Sequence, residues 1–190
     1  MALFGLAIRA YTVGHAPPGT SGGNTREQRA VSLNVTGSYS VVRHPLYVGN
    51  FFMWLGVAMF TESLTVVALF SLVFWIYYER IMMAEEAFLN EQFGETFRQW
   101  AERTPAFLPD PRLWRAPATP VNWRIIVRRE YSGAFAVVVI FSLLEFIGDS
   151  AADGMLEFEP GWVAILSVAS CVYLAIMYLK RRTHLLDLIT

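Results

Sequence analysis

Two short clusters of polar side chains interrupt an otherwise apolar sequence, and both contain residue types that bind ligands. The first cluster is Arg43-His44-Pro45, followed by Tyr47 and Gly49. Proline suits the first helical position because its missing N–H has no partner there, so Pro45 predicts a helix start. Arg43 and His44 then precede a helix N-terminus, an arrangement that favours an anionic group such as a carboxylate or phosphate. An interfacial cluster that only anchors the helix end is the alternative interpretation.

The second cluster is a pair of carboxylates, Glu85 and Glu86. At about 100° per residue, Glu85 falls on the same helical face as Ile81 and Phe88. A carboxylate within an apolar stripe is costly unless a cation or a hydrogen-bond donor meets it. We therefore predict that Glu85 binds a cationic ligand, or pairs with Arg43, and is not merely a solvated surface charge.

The composition indicates an integral membrane protein. Of the 190 residues, 55% are hydrophobic and 16% are charged, whereas a soluble globular protein carries about 25% charged residues. The formal net charge of −1 argues against a strongly basic nucleic-acid-binding protein. A single cysteine, Cys171, and three histidines that lie far apart provide no zinc-ligand spacing, so we expect no metal site.

Five apolar runs predict the helices that must position the two clusters. The runs are residues 3–13, 45–60, 63–78, 132–147 and 161–179. The second and third runs are so close that they must form a tight helical hairpin, and no helix breaker interrupts the third before about Gly94. The predicted fold class is therefore an all-α integral membrane protein with about five transmembrane helices. Buried core helices of a soluble protein are the alternative.

The distribution of basic residues orients the predicted helices. If all five runs cross the membrane, the segments 14–44 and 79–131 share one side with the residues after 179. None of the 15 Lys and Arg residues then lies in a loop on the opposite side. The positive-inside rule makes the basic side cytoplasmic. We predict a protein of a prokaryotic plasma (inner) membrane, with its C-terminus and both polar clusters at the cytoplasmic face.

The segment 37–109 resembles the isoprenylcysteine carboxyl methyltransferase and phospholipid methyltransferase superfamily. The matching pieces are GSYSVVRHPLYVGN at 37–50, a helical hairpin, and AEEAFLNEQFGETFRQWAERTPAFLP at 84–109. The resemblance implies an enzyme that binds S-adenosylmethionine (SAM) in a pocket at the cytoplasmic membrane face. It also implies methyl transfer to a lipidic acceptor, either the carboxylate of a prenylated cysteine or a phospholipid head group.

The resemblance also implies roles for individual residues. The cofactor contacts carried over from the motifs are His44, Tyr47, Gly49, Glu85 and Glu86. Arg43 and Glu86 are carried over as the catalytic residues, facing the head group of the acceptor. No metal and no nucleic acid are implied, and the expected partners are a lipid or lipidated substrate and the bilayer.

The resemblance divides the chain into three parts. Residues 1–109 form the predicted methyltransferase core, 110–131 a basic cytoplasmic linker, and 132–190 a two-helix membrane extension. The extension lies outside the resemblance and could line a path for lipids, pair protomers into an oligomer or bind a partner. Glu145 in its first helix is an intramembrane carboxylate, but the topology places it away from Glu85 and outside the predicted site.

Two other functions fit parts of the pattern. A family of NADPH-dependent sterol or steroid reductases has a related membrane fold and a similar HP-x-Y-x-G motif. That motif commonly has Asn before the Tyr and no adjacent pair of glutamates, so Leu46 and the pair Glu85-Glu86 favour methyl transfer. A non-catalytic membrane scaffold, in which the motifs only stabilise the hairpin, is the other alternative.

Overall fold

The computed structural model describes residues 1–17, 32–153 and 159–183, and all regular structure in these ranges is helical. The helices are α1 (Ala2–Gly14), α2 (Ser38–Val41), α3 (Pro45–Phe60), α4 (Leu64–Phe93), α5 (Glu95–Arg103), α6 (Trp123–Asp153) and α7 (Pro160–Arg182). A single 3-10 turn, Pro111–Leu113, lies between α5 and α6. The prediction of an all-helical fold is confirmed for these ranges.

Among the residues that the structure describes, three helices, α4, α6 and α7, are long and apolar enough to cross a membrane. Helices α1 and α3 are apolar but have only 13 and 16 residues. At about 1.5 Å per residue, α3 extends only about 24 Å, less than the ~30 Å of a hydrocarbon core. In the most apolar stretch of α7 none of the residues is buried by protein, as expected where lipid covers the surface. Length and composition therefore support three of the five predicted spans.

The hairpin between α3 and α4 forms as the sequence predicts. Only residues 61–63 separate the two helices, and the Ser63 side chain caps α4 by accepting a hydrogen bond from Val66 N at 3.4 Å. Helix α4 then runs without interruption to Phe93 and ends at Gly94, whose φ of 53° favours a residue without a Cβ. The glutamate pair therefore lies on the same helix as the third apolar run.

Helix α6 begins nine residues earlier than the apolar run that predicts it, at Trp123 and not at Ser132. The Asn122 side-chain oxygen accepts hydrogen bonds from Arg124 N at 3.1 Å and Ile125 N at 3.4 Å. Asparagine is a favourable N-cap residue, so the helix starts there although its first turns are basic. The last part of the predicted linker is consequently helical.

Helix α1 packs between the segment that carries the motifs and the C-terminal extension. Its most extensive contact is with α3, and it also packs on α6. The approach to α3 is close at Gly5 and Gly56, where a Cβ would collide with the backbone of the other helix. At its other end, Gly14 O accepts a hydrogen bond from Asn122 N at 2.8 Å. The N-terminal helix is thus held on two sides.

Candidate functional site

The first polar cluster lies at a corner between α2 and α3 that is held by backbone hydrogen bonds. Arg43 N donates to Pro105 O at 2.8 Å, and His44 N donates to Ala106 O at 3.2 Å. Pro45 is the first residue of α3 and its side chain is fully buried, which confirms the predicted helix start. The segment that follows α5 therefore fixes the corner through two backbone hydrogen bonds.

The two polar clusters meet in the folded protein. His44 Nε2 lies 2.8 Å from Glu86 Oε1, and its Nδ1 lies 3.4 Å from Glu85 Oε2. The Tyr47 hydroxyl donates to Glu85 Oε2 at 2.9 Å. Arg43 Nε lies 3.2 Å from Glu86 Oε1. The two clusters therefore meet, although most of α3 and α4 separates them in the sequence. Arg43 lies beside Glu86 and not beside Glu85, its expected partner, which instead contacts His44 and Tyr47.

His44 lies at the centre of this arrangement. Its side chain is only 3% exposed. Burial lowers the pKa of His44, but hydrogen bonds and negative charge from Glu85 and Glu86 outweigh burial and raise that pKa above its ordinary value. Because each ring nitrogen faces a carboxylate, the doubly protonated imidazolium, which has two donors, suits the site best.

Arg43 contributes charge but is not fully engaged in hydrogen bonds. Its Nε is within ion-pair distance of Glu86, yet the N–H is not directed at that oxygen and the buried nitrogen has no hydrogen-bond partner. The distance indicates electrostatic attraction, whereas the alignment shows that this is not a directed hydrogen bond. Another nitrogen, Nη1, donates to Ala101 O at 3.3 Å. Arg43 can therefore donate to a further acceptor without losing a hydrogen bond.

Aromatic rings line the corner next to the carboxylates. The rings of His44 and Tyr47 stack with centroids 5.4 Å apart, and the Tyr47 ring lies 5.1 Å from that of Tyr78. Carboxylates beside aromatic faces attract a cation. Sequence analysis missed Tyr78, although it lies two helical turns before Glu85 on the same face of α4.

Gly49 lies away from the carboxylates, on the face of α3 that contacts α1. A Cβ there would lie 2.5 Å from Arg9 Cγ and 2.9 Å from Gly5 O. The structure thus brings together all the predicted site residues except Gly49, which it places at a helix–helix contact. The role of Gly49 as a cofactor contact stays a prediction.

A buried polar network missed by sequence analysis adjoins the site. Arg9 on α1 donates from Nε and Nη2 to the two carboxylate oxygens of Glu130 on α6, at 2.7 and 2.8 Å. Its Nη1 donates to Asn50 Oδ1, and Asn50 Nδ2 donates to the Tyr78 hydroxyl at 3.1 Å. An arginine inside an apolar run was the available signal. Its partner Glu130 was assigned to the linker.

An apolar cavity of about 320 Å³ lies on the other side of the corner. Ala7 and Tyr11 of α1, Val42 and Pro45 of the corner, and Trp114 contribute to its wall. Its lining is almost entirely apolar, and neither glutamate of the site belongs to it. Val42 and Pro45 directly flank the Arg43-His44 pair, so one short segment borders both the cavity and the charged cluster.

Within the ranges 1–17, 32–153 and 159–183, no three His, Cys, Asp or Glu side chains are grouped so that they could hold a metal ion.

Comparisons with known proteins identify the segment that carries the site. Residues 18–96 match the family model described as phospholipid methyltransferase. The nickel-cobalt-cadmium resistance protein NccN of Alcaligenes xylosoxydans xylosoxydans is 40% identical, over 48% of this chain and 43% of that protein. The cobalt-zinc-cadmium resistance protein CzcN of Cupriavidus metallidurans is 43% identical, over 46% of this chain and 40% of that protein.

A methyltransferase is also among the similar proteins. The protein-S-isoprenylcysteine O-methyltransferase of Schizosaccharomyces pombe is 40% identical, over 40% of this chain and 33% of that protein. The chain thus spans less than half the length of the curated relatives it matches. No solved structure matches it significantly. The resemblance predicted from the two motifs is confirmed, because residues 18–96 match the phospholipid methyltransferase family model and a protein-S-isoprenylcysteine O-methyltransferase is among the similar proteins.

Proposed function

We propose that the protein is an integral membrane methyltransferase that transfers the methyl group of SAM to a lipidic acceptor at the cytoplasmic face. The observation that carries the proposal is the contact between the two motifs. His44 lies between both carboxylates, Tyr47 donates to Glu85, and Arg43 lies beside Glu86. Two family motifs that lie apart in the sequence thereby form one charged and aromatic cluster.

The chemistry of this cluster suits a cationic cofactor. SAM supplies a methyl group that is already activated by its positively charged sulfur. The carboxylates of Glu85 and Glu86 are 23% and 25% exposed, so each retains oxygen lone pairs that a bound cation can reach. The faces of Tyr47 and Tyr78 add cation–π attraction. His44 contacts both carboxylates and holds them in position, and Gly49 remains the fifth proposed cofactor contact.

Catalysis then requires positioning more than proton transfer. Holding the acceptor in line with the methyl group and excluding water supply most of the rate in such a reaction. Arg43 is the group that we expect to orient an anionic head group, because its side chain is 19% exposed and its guanidinium has donors beyond the one that bonds Ala101 O. With a carboxylate acceptor no general base is needed. With an amine acceptor, Glu86 would take the proton that leaves nitrogen.

The acceptor that we propose is a lipid or a lipidated molecule, and the apolar cavity beside the corner supports this choice. Pockets that hold small molecules have volumes of about 300–1,000 Å³, and this cavity, of about 320 Å³, has an apolar lining that suits a hydrocarbon chain and not SAM. A chain bound against Val42 and Pro45 would leave its head group beside Arg43. A prenylcysteine carboxylate and a phospholipid head group both meet these requirements.

We further propose that all five apolar helices cross the membrane. In this topology the short helices α1 and α3 lie among α4 and α6, and the polar end of α4 with the glutamate pair emerges on the basic side. That side is cytoplasmic by the positive-inside rule. It also holds the C-terminus, although residues after 183 lie outside the described ranges. The membrane we propose is the plasma (inner) membrane of a prokaryote.

A methyl-transfer assay tests the proposed function directly. Membranes that contain the protein are incubated with SAM carrying a radiolabelled methyl group, and the lipid and protein fractions are extracted. Label released by base as methanol indicates an ester on a carboxylate, whereas base-stable label in lipid indicates N-methylation. Calorimetry with detergent-purified protein measures SAM binding independently of the acceptor.

Two separate Glu→Gln substitutions on α4 give this assay a test variant and a matched control. Glu86→Gln should lower label transfer at least tenfold, whereas Glu91→Gln, at an exposed position of α4, should leave it unchanged. A folded wild-type protein that neither binds SAM nor transfers label contradicts the proposal. Binding of NADPH without binding of SAM would replace the proposal with a reductase.

A further inference from the structure

We propose that Glu130 on α6 is a positioning residue for the candidate site, acting through Arg9, Asn50 and Tyr78 to orient Tyr47. Helix α6 lies outside the segment that matches the methyltransferase family. The first turns of α6, in the predicted linker, then have a part in the site itself. The enzyme assays that test this inference rest on the proposed function. The NMR test on the ligand-free protein does not.

The anchor of the network is a bidentate ion pair whose carboxylate is buried, whereas the Arg9 side chain is 22% exposed. Glu130 is 4% exposed, and Arg9 reaches it with two parallel hydrogen bonds of 2.7 and 2.8 Å. Such a fork fixes the plane of the guanidinium as well as its position. Burying an ion pair costs so much desolvation free energy that a protein with apolar residues in place of both charges is often equally stable. Stability alone therefore does not explain why two charges are buried between these helices.

The remaining donor of Arg9 directs the pair toward the site. A guanidinium has no acceptor, so the Asn50 oxygen must face Arg9 and the Asn50 amide nitrogen must face the Tyr78 hydroxyl, at 3.1 Å. The orientation of Asn50 is thus determined by Arg9. Tyr78 in turn has a hydrogen bond that fixes its ring along the site-facing side of α4.

Tyr78 transmits this orientation to Tyr47. Their ring centroids are 5.1 Å apart at an angle of 56°, and the Tyr47 hydroxyl donates to Glu85 at 2.9 Å. A continuous series of contacts therefore joins α6, α1, α3 and α4, from Glu130 to a carboxylate of the site. Loss of the anchor should free Tyr78 and Tyr47 to rotate and should loosen the hydrogen bond on Glu85.

The decisive variant replaces both charges by apolar residues, Arg9→Met together with Glu130→Leu. Contacts elsewhere hold α1 against α6, including the hydrogen bond from Asn122 N to Gly14 O, so this variant should fold. If the pair only supports the fold, function survives. If it positions the site, we expect the SAM Kd to rise at least fivefold and kcat to fall, with the KM for the acceptor unchanged within twofold.

A readout on the ligand-free protein separates this inference from the proposed function. Histidine-selective NMR follows the titration of His44, which faces Glu85, Glu86, Arg43 and the ring of Tyr47. In the doubly apolar variant, Tyr47 should lose its hydrogen bond to Glu85 Oε2, and His44 Nδ1 should then interact more strongly with that oxygen. The His44 titration should therefore move to higher pH. The ion pair is removed as a neutral unit, so its net charge does not cause such a shift.

Glu145→Gln is the matched control, because Glu145 is a partly buried carboxylate about four turns further along α6. It should leave the SAM Kd and the His44 titration as in the wild type. A doubly apolar variant that is folded, with SAM affinity, kcat and His44 titration all as in the wild type, overturns the inference. A wild type without SAM binding overturns the proposed function, and the NMR titration then decides the inference alone.

Discussion

The sharpest single perturbation of the candidate site is Glu86→Gln, which removes a charge but keeps the shape of the side chain. Glu86 accepts from His44 at 2.8 Å and lies 3.2 Å from Arg43. A hydrogen bond to a charged group contributes about 1.5–3 kcal/mol. The carboxylate is 25% exposed, and solvent weakens exposed pairs, so we expect a loss of about 1.4–2 kcal/mol. This corresponds to a roughly ten- to thirtyfold fall in kcat/KM.

The same substitution should change the pH dependence of stability. Because the pKa of His44 is raised in the folded protein, the stability due to its ion pairs is fully present below the unfolded pKa of about 6.5. It is lost as the pH rises through the higher folded pKa. Removing Glu86 removes one of the groups that raise this pKa. In the variant we therefore expect a lower His44 pKa and a smaller loss of stability over this pH range.

Two assays test these expectations on the same purified samples. Label transfer from SAM measures kcat/KM, and thermal unfolding between about pH 6 and pH 9 measures the stability change. Glu91→Gln controls for the loss of a carboxylate on α4. Wild-type kcat/KM in Glu86→Gln, together with an unaltered pH profile of unfolding, would refute the argument that the carboxylate and His44 act as a charged pair in the site.

Three further predictions follow from the geometry. Arg43→Ala should lower turnover at least tenfold (about 1.4 kcal/mol), while the SAM Kd measured by calorimetry stays within twofold. A large change in SAM affinity with normal turnover would contradict the assignment of Arg43 to the acceptor. Ala7→Phe, at an exposed position of the cavity wall, should raise the acceptor KM several-fold. Leu3→Phe, at an exposed position outside the cavity lining, should not. Gly49→Ala should lower the unfolding temperature because a Cβ collides with Arg9; an unaltered unfolding temperature with weaker SAM binding would instead assign Gly49 to the cofactor.

The charged cluster shows which features of the site can be predicted from short-range sequence rules. Pro45 at a helix start and the continuous helix through Glu85 and Glu86 follow from rules that act within one or two turns, and both are confirmed. A carboxylate on an apolar face needs a partner, so the sequence also predicts that the glutamates meet cations. Arg43 was the expected partner. The structure adds His44, which touches both carboxylates.

Composition and local spacing determine the helices of this protein, their apolar surfaces and the residue types of its site, because those properties depend on neighbours within a few residues. The tertiary structure alone decides which partners meet across helices. Arg9 and Glu130 lie 121 positions apart, and their contact depends on how α1 packs between α3 and α6. Likewise Gly49, which the motif groups with the cofactor residues, faces α1, because each face of a helix is assigned only when helices pack.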